Sequence, residues 1–322
     1  MQACVYEEYG PAEVVKVREV TRPRMKDDDV LVRVHAASVT TADWRFRASA
    51  FPGGFWLVGR LMVGLLRPRN PILGMDFSGV VEETGKRVTR FRVGDRVFGS
   101  ASGGAHAEYL AVPGSAPMIH KPDGLTHEQA AAIPFGANTA LAFLRDIAKI
   151  RASQRVLVVG ASGGVGVWAV QLARHLGAEV TGACSTRNVE LVASLGAHHV
   201  VDYTAGPLAE PGADYDLIFD TVGVTTFAGC KPALADAGTY LPLNASVRQL
   251  VQALFTSSGK GKKLKAGISS NSSESLETAV GLIEAGALRP VIDKVYPMTE
   301  IVEAHRRVDS RHKRGSVIVA LG

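Results

Sequence analysis

The sequence predicts an α/β protein in two parts, a β-rich unit followed by a doubly wound parallel sheet, and three observations predict it. An apolar run, Val156–Val159, meets a glycine turn and then an amphipathic helix. From that point strands and helices alternate, which is the signature of a parallel sheet covered on both faces. Ahead of it, the first ~120 residues carry period-two strand patterns and turn residues rather than helical ones.

Taken in order, Val30, Val32 and Val34 alternate with Leu31, Arg33 and His35, as a half-buried strand does. Gly79–Glu83 reads as a second strand closed by Gly85, and Val93-Gly94-Asp95-Arg96-Val97 as a turn into a third. Glycine and proline punctuate at Pro52-Gly53-Gly54 and Gly103-Gly104. Thr126 and Gln129 have the spacing of a capping box, so a helix starts there. Pro134 ends that helix, and a second runs from about Asn138 to Ile147. Strands are then expected at Val156–Val159, Glu179–Ala183, His199–Asp202, Leu217–Thr221, Thr239–Pro242 and Leu264–Ile268. A helix near Ser273–Ala285 follows. The chain end, about Pro290–Leu321, returns to short strands with a helix at Thr299–Arg307. No internal repeat or low-complexity tract interrupts this plan.

The turn after Val159 carries Gly160, Gly163 and Gly166, three apart. Such glycines let a ligand's phosphates approach the backbone and let the helix seat tightly on the strand. The helix start offers unpaired N–H groups and the positive end of its dipole to those phosphates. Ser162, Gly163, Gly164 and Val165 are therefore expected to hold a pyrophosphate, while Val165, Ala169, Leu172, Ala173 and Leu176 face the sheet. In such sheets ligands sit at the carboxyl ends of the strands, which here end in Asp220-Thr221-Val222-Gly223 and Leu243-Asn244-Ala245. Val222 and Asn244 are contact candidates there. Asp220 reads as structural, holding backbone N–H groups at the turn.

Composition bounds the rest. The chain has 322 residues, 46% hydrophobic and 21% charged, an ordinary globular balance with room for two domains. Cys4, Cys184 and Cys230 are odd in number and far apart, which argues for a reducing compartment. Val5 and Tyr6 run straight into Glu7 and Glu8, so no secretion signal is read, and a cytoplasmic location is expected. The net charge of +5 gathers partly at Lys260, Lys262, Lys263 and Lys265 and at Arg306, Arg307, Arg311, Lys313 and Arg314. These read first as solvated faces, and second as contacts for an anionic cofactor, nucleic acid or lipid headgroups. Phe55–Leu66 is almost wholly apolar, too short to span a bilayer and interrupted by Arg60. It reads as a buried helix or a flap over a substrate site, with shallow membrane contact as the alternative.

Several segments together resemble the medium-chain dehydrogenase/reductase superfamily over essentially the whole chain: Ser38-Val39-Thr40-Thr41-Ala42-Asp43-Trp44, Gly74-Met75-Asp76-Phe77-Ser78-Gly79-Val80-Val81, Gly94-Asp95-Arg96-Val97-Phe98 and Asn138-Thr139-Ala140. The resemblance implies a GroES-like β-rich domain over 1–122, completed by 290–322, with a Rossmann domain over 123–289 inserted between. It is strongest to the zinc-independent quinone oxidoreductase and enone reductase branch. The zinc enzymes of the superfamily place a cysteine in the cleft loop and Gly-His-Glu in the next motif. This chain has Thr40, Thr41 and Gly74-Met75-Asp76 there, and methionine does not replace imidazole on catalytic zinc. Neither a catalytic nor a structural zinc is expected; His198-His199 reads as a surface pair.

Without a Lewis acid a simple carbonyl is poorly activated, so an acceptor that spreads incoming charge onto oxygen fits better. Hydride transfer to a quinone or an α,β-unsaturated carbonyl is the expected reaction. NADP(H) is the expected cofactor, because Cys184-Ser185-Thr186-Arg187-Asn188 lacks the acid that binds an NAD ribose. Arg187 and Ser185 would instead take the 2′-phosphate. The resemblance adds Tyr203 to that site and Thr139 beside the nicotinamide. It also places Thr40 and Trp44 in the substrate pocket; Phe51, Phe55 and Trp56 read as an apolar wall for a hydrophobic acceptor. Asp43 reads as a buried anchor. No residue stands out as the general acid, and the absence of tyrosine from 45–55 weakens an enoyl-thioester reading. A homodimer is expected by analogy, and nucleic acid is not. The alternatives are an enoyl-thioester reductase or alcohol dehydrogenase of the same superfamily, an RNA-binding protein working through 260–265, and a membrane-surface protein docking through 55–66.

Overall fold

A computed structural model describes residues 1–256, 261–269 and 271–321. Lys260, counted above in a basic cluster, lies outside the described residues. The first part of the chain contains β1 (Gln2–Val5), β2 (Lys16–Glu19), β3 (Asp29–Val39), α1 (Thr41–Ala48), α2 (Trp56–Val63), β4 (Asp76–Thr84), β5 (Arg96–Ser100), β6 (Tyr109–Pro113) and β7 (Met118–His120). Then come α3 (His127–Ala131), α4 (Pro134–Ala140) and a π-helical stretch, Leu141–Ala148. The alternating part holds β8 (Arg155–Val159), α5 (Gly166–His175), β9 (Glu179–Cys184), α6 (Val189–Ser194), β10 (His199–Asp202), β11 (Tyr215–Asp220), α7 (Phe227–Cys230), β12 (Leu234–Pro242), α8 (Val247–Thr256), β13 (Lys263–Leu264) and α9 (Ser273–Glu284). The chain closes with β14 (Ile292–Pro297), α10 (Ile301–Asp309) and β15 (Ser316–Ala320).

Two main sheets result. One is six-stranded and wholly parallel, in the order β10-β9-β8-β11-β12-β13. The other runs β14-β15-β3-β4-β5-β7 with β6 also on β3, so the two C-terminal strands return to the sheet that the N-terminal residues began. The α/β class with a β-rich domain and a doubly wound parallel sheet is thus as expected. Strand β3 is bulged twice against β4, between Leu31 and Val32 and between Val34 and Ala36. A bulge bends a strand and raises its twist, which lets one long strand serve two neighbours.

Local signals hold where the chemistry is local. The Thr126 hydroxyl accepts from Gln129 N at 3.2 Å and the Gln129 side chain accepts from Thr126 N at 2.9 Å, a complete capping box. Three expectations need correction. The helix expected from Asn138 starts at Pro134, which occupies the first turn, where a missing N–H costs nothing. The strand expected over Leu264–Ile268 is only Lys263–Leu264, and the chain then turns off the sheet edge so that Gly267 and Ile268 line a cavity. The segment 55–66 is not buried: α2 presents most of its apolar side chains to solvent. Helix α5, by contrast, is buried all round, with Val167, Trp168 and Val170 as inaccessible as the sheet-facing residues, because α4 covers its outer side.

Candidate functional site

A cleft of about 920 Å³ opens along the carboxyl ends of the parallel strands and against α1 of the other unit. The strand order decides its two ends. The tips of β9 and β10 put Ser185, Asn188 and Tyr203 on one side of β8. The tips of β11, β12 and β13 put Val222, Asn244 and Ile268 on the other.

The glycine turn lies between. Gly160 has φ +78°, and a Cβ there would come within 2.6 Å of Val222 and 2.8 Å of the Thr221 hydroxyl. A Cβ on Gly166 would collide with the Gly160 carbonyl oxygen. These two glycines are required by geometry; Gly163 is freer, its added Cβ meeting only the Gly160 oxygen at 3.3 Å. Ser162, Gly163, Gly164 and Val165 all line the cleft, and α5 starts there with no side-chain cap. An uncapped helix start leaves N–H donors for an anion.

The charge on the wall is one-sided. Arg45, Arg311 and Lys313 line it, and among the described lining residues there is no Asp or Glu. Lys313 arrives from the loop before β15. Its Nζ donates to the Gly315 carbonyl at 2.6 Å and stands so near the turn that a Cβ on Gly164 would meet it at 2.5 Å. Burial pushes its ammonium down to about 8. Arg45, from α1, donates to the Asn244 side-chain oxygen at 2.6 Å and so ties the two units together across the cleft. Burial, and then the neighbouring Arg311, lower its pKa.

At the β9 end, Asn188 Nδ2 donates to the hydroxyls of Ser162 at 2.9 Å and Ser185 at 3.3 Å. Both hydroxyls then accept from within the protein and keep their own protons for a ligand. Asn188 Oδ1 in turn accepts from Arg314 Nε at 2.8 Å. Arg187 is not brought to this wall. Its side chain is exposed, while its carbonyl accepts from Arg314 at 2.5 Å. Thr186 is also spent, bonded to Thr204 at 2.7 Å.

At the other end Thr139, Val222, Asn244 and Trp44 share the cleft, and Thr139 donates to the Phe135 carbonyl at 2.6 Å. Thr40 does not line it. Thr40 is buried as the cap of α1, accepting from Asp43 N and donating to the Asp43 carboxylate at 2.6 Å, and Thr41 and Ala42 take its place on the wall. Asp43 also accepts from Gly74 N at 2.9 Å, so it is the buried anchor expected. Phe51 and Phe55 lie elsewhere too, around a second cavity of about 480 Å³ beyond α1. The alternation is simple: Ala50, Pro52 and Gly53 face the first cavity, whereas Phe51 and Phe55 face the second.

Asp220 binds the backbone as expected, accepting from Val222 N at 3.0 Å, Gly223 N at 2.7 Å and Thr225 N at 2.9 Å. Asp76 is fully buried, accepts from Ser38, Ser100 and Phe135 N, and is pushed up by desolvation to about 7. Sequence reasoning missed the roles of Arg45, Arg311 and Lys313. The second basic cluster held a signal: Arg306 is neutralised by Glu13 and Glu303 and Arg307 by Asp293, but Arg311 and Lys313 face the cleft.

Residues 26–123 match the family model described as the alcohol dehydrogenase GroES-like domain, and residues 195–319 match the one described as zinc-binding dehydrogenase. A mitochondrial NAD(P)H oxidoreductase of Homo sapiens is 32% identical over 353 residues, covering 99% of this chain and 89% of its own. The chain belongs to the medium-chain dehydrogenase/reductase superfamily. Within it, the likeness is to the zinc-independent quinone oxidoreductase branch. A chloroplastic NADPH-dependent alkenal/one oxidoreductase of Arabidopsis thaliana is 29% identical, covering 99% of this chain and 79% of its own. The structure of the quinone oxidoreductase from Coxiella burnetii superposes with a TM-score of 0.88 at 27% identity, over 100% of this chain and 99% of that one. Zinc does not fit the donors present: the superfamily's ligand positions hold threonines and Met75, and among the described residues no three His, Cys, Asp or Glu side chains gather as ligands. The chain is an oxidoreductase of this superfamily.

Proposed function

We propose that this medium-chain reductase takes NADP(H) and reduces a hydrophobic conjugated acceptor, a quinone or an α,β-unsaturated carbonyl, without a metal. The observation that carries the reading is the cleft wall with Arg45, Arg311 and Lys313 and no carboxylate on it. Three cations facing one cleft with no carboxylate on its wall repel one another, and an anionic ligand relieves that cost. Bound there, the reduced dinucleotide supplies the two-electron reducing equivalent.

The residues divide the work. Ser162, the 163–166 turn and Lys313 hold the pyrophosphate. Ser185, whose hydroxyl proton Asn188 leaves free, and the Tyr203 hydroxyl bind the 2′-phosphate. Thr139, Val222 and Asn244 border the nicotinamide end. Trp44 and Thr41 form the wall for a flat apolar acceptor, with Ile268 at the rim. Negative charge that develops on the acceptor oxygen needs a donor held in place, and of the two cations on that side, Arg45 is fixed by Asn244 while Arg311 lies over the Trp44 ring. The relatives' names, one a quinone oxidoreductase and one an alkenal/one oxidoreductase, agree with both acceptor classes.

Following NADPH oxidation against quinones, enones, enals, simple aldehydes and enoyl thioesters tests the reading. Turnover with quinones or enones at least tenfold above that with simple aldehydes is expected. Preference for simple aldehydes would refute it.

A further inference from the structure

We propose that α2 is an interfacial anchor that lays this protein on an anionic lipid surface. The helix is eight residues long, Trp56–Val63, and runs on through Gly64 to Leu66. Trp56, Leu57, Val58, Leu61, Met62, Leu65 and Leu66 are all at least half exposed, with Met62 at 73% and Leu66 at 88%. Folded chains rarely leave so continuous an apolar run in water, and such patches mark binding surfaces.

The run is held outward rather than merely left loose. Arg60 turns to the protein, its guanidinium 3.7 Å from the Tyr9 ring centroid and bonded to the Leu65 carbonyl. Tyr9 OH donates to the Gly64 carbonyl at 2.7 Å, and Arg69 N donates to the Val63 carbonyl at 2.8 Å. The inner side, Gly59 and Val63, roofs the second cavity, where Gly59 lies against the Phe51 ring, and the exposed Val58 and Met62 stand at its open rim. A second apolar helix starts beside it: Val247 N donates to the Gly53 carbonyl at 3.1 Å, and Val247, Leu250 and Val251 of α8 are exposed. Gly53 lines the cleft, so this face adjoins the mouth of the reductase site.

Charge selects the occupant. Between Asp43 and Asp76 the chain has five arginines and no acidic residue. Arg45 and Arg47 are engaged inside the protein and Arg60 beneath the helix, but Arg67 and Arg69 are exposed next to the apolar run. Trp and Leu beside bare arginines is the composition of a helix that rests in a headgroup layer. A second copy of this chain fits worse. A twofold contact would bury the same patch on both copies, and this segment carries arginines but no acid to pair with them across it.

The test is sedimentation with vesicles of phosphatidylcholine alone or mixed with phosphatidylglycerol. The wild-type chain should sediment with the mixed vesicles and much less with the neutral ones, and its Trp56 emission should shift to the blue. The pair Leu61→Glu and Met62→Glu should lower vesicle binding at least tenfold while dinucleotide binding, the check on folding, stays within twofold. Wild-type protein that remains in the supernatant would overturn the proposal, as would equal sedimentation of the double variant. So would equal binding to neutral vesicles. A wild-type dimer in solution that the double variant splits would assign the face to a second copy and overturn it as well.

Discussion

Lys313→Ala is expected to weaken NADPH and NADH alike, by about 30-fold each below pH 8, because a charge-assisted contact to phosphate is worth roughly 2 kcal/mol. The equality matters. Lys313 Nζ stands at the glycine turn, beside Gly164, where the pyrophosphate common to both dinucleotides would lie. A residue at the 2′-phosphate would instead penalise NADPH alone. The pH dependence gives an independent check. Lys313 titrates near 8 in the free protein, below the ordinary lysine range, because it is desolvated. Below pH 8 it is charged and binding needs no proton. Above pH 8 it must first be protonated, so the dissociation constant for either dinucleotide should climb by up to ~10-fold per pH unit. Lys313→Arg should bind with little pH dependence across 7–9.5, since a guanidinium stays charged. Calorimetric or fluorescence titration of the three proteins at several pH values reads all of this. An alanine variant that loses affinity for NADPH only would move Lys313 to the other phosphate.

Arg45→Met is expected to lower kcat by about 100-fold or more while leaving the KM for NADPH within a few-fold, the loss seen when one preorganised donor is taken from a developing oxyanion. Methionine keeps an unbranched apolar stem and removes the guanidinium, so α1 should pack as before. Arg45 also donates to Asn244 at 2.6 Å across the two units. A purely structural role would therefore show as lower thermal stability and raised KM. Arg45→Lys should recover part of kcat but not all, since an ammonium lacks the planar fork that can bond Asn244 and the acceptor oxygen together. Steady-state rates with one quinone and one enone, beside melting curves, separate these outcomes.

These two residues also show what the sequence could and could not reveal. The Thr126–Gln129 box, the strand at Val156–Val159 and the glycine turn were legible because each is completed within a few residues. The clearance needed at Gly160 and Gly166 follows from a strand, a turn and a helix that are contiguous in the chain. Lys313 and Gly164 are 149 residues apart, and only the return of β15 to β3 brings them together. From composition alone Lys313 was one more cation in a basic cluster. Arg187 failed to reach the cleft for the opposite reason. Its position after β9 was right, but Asn188 and Arg314 occupy that corner and leave its side chain in water. Thr40 illustrates a third kind of limit: a hydroxyl in the cleft loop also caps the helix that follows it, and capping won. The apolar run at 55–66 has the hydrophobicity of a core helix. Only packing distinguishes a helix that is covered from one that covers a cavity and leaves its outer side bare.

A cleft whose β9 end offers the Ser185 and Tyr203 hydroxyls and no carboxylate is built for a 2′-phosphorylated dinucleotide. Titrating the purified full chain with NADPH and with NADH under identical salt and pH tests it most directly. One molecule of NADPH per chain, bound at least tenfold more tightly than NADH, is the predicted result. NADH binding as tightly as NADPH, or neither binding at millimolar concentration, would contradict it.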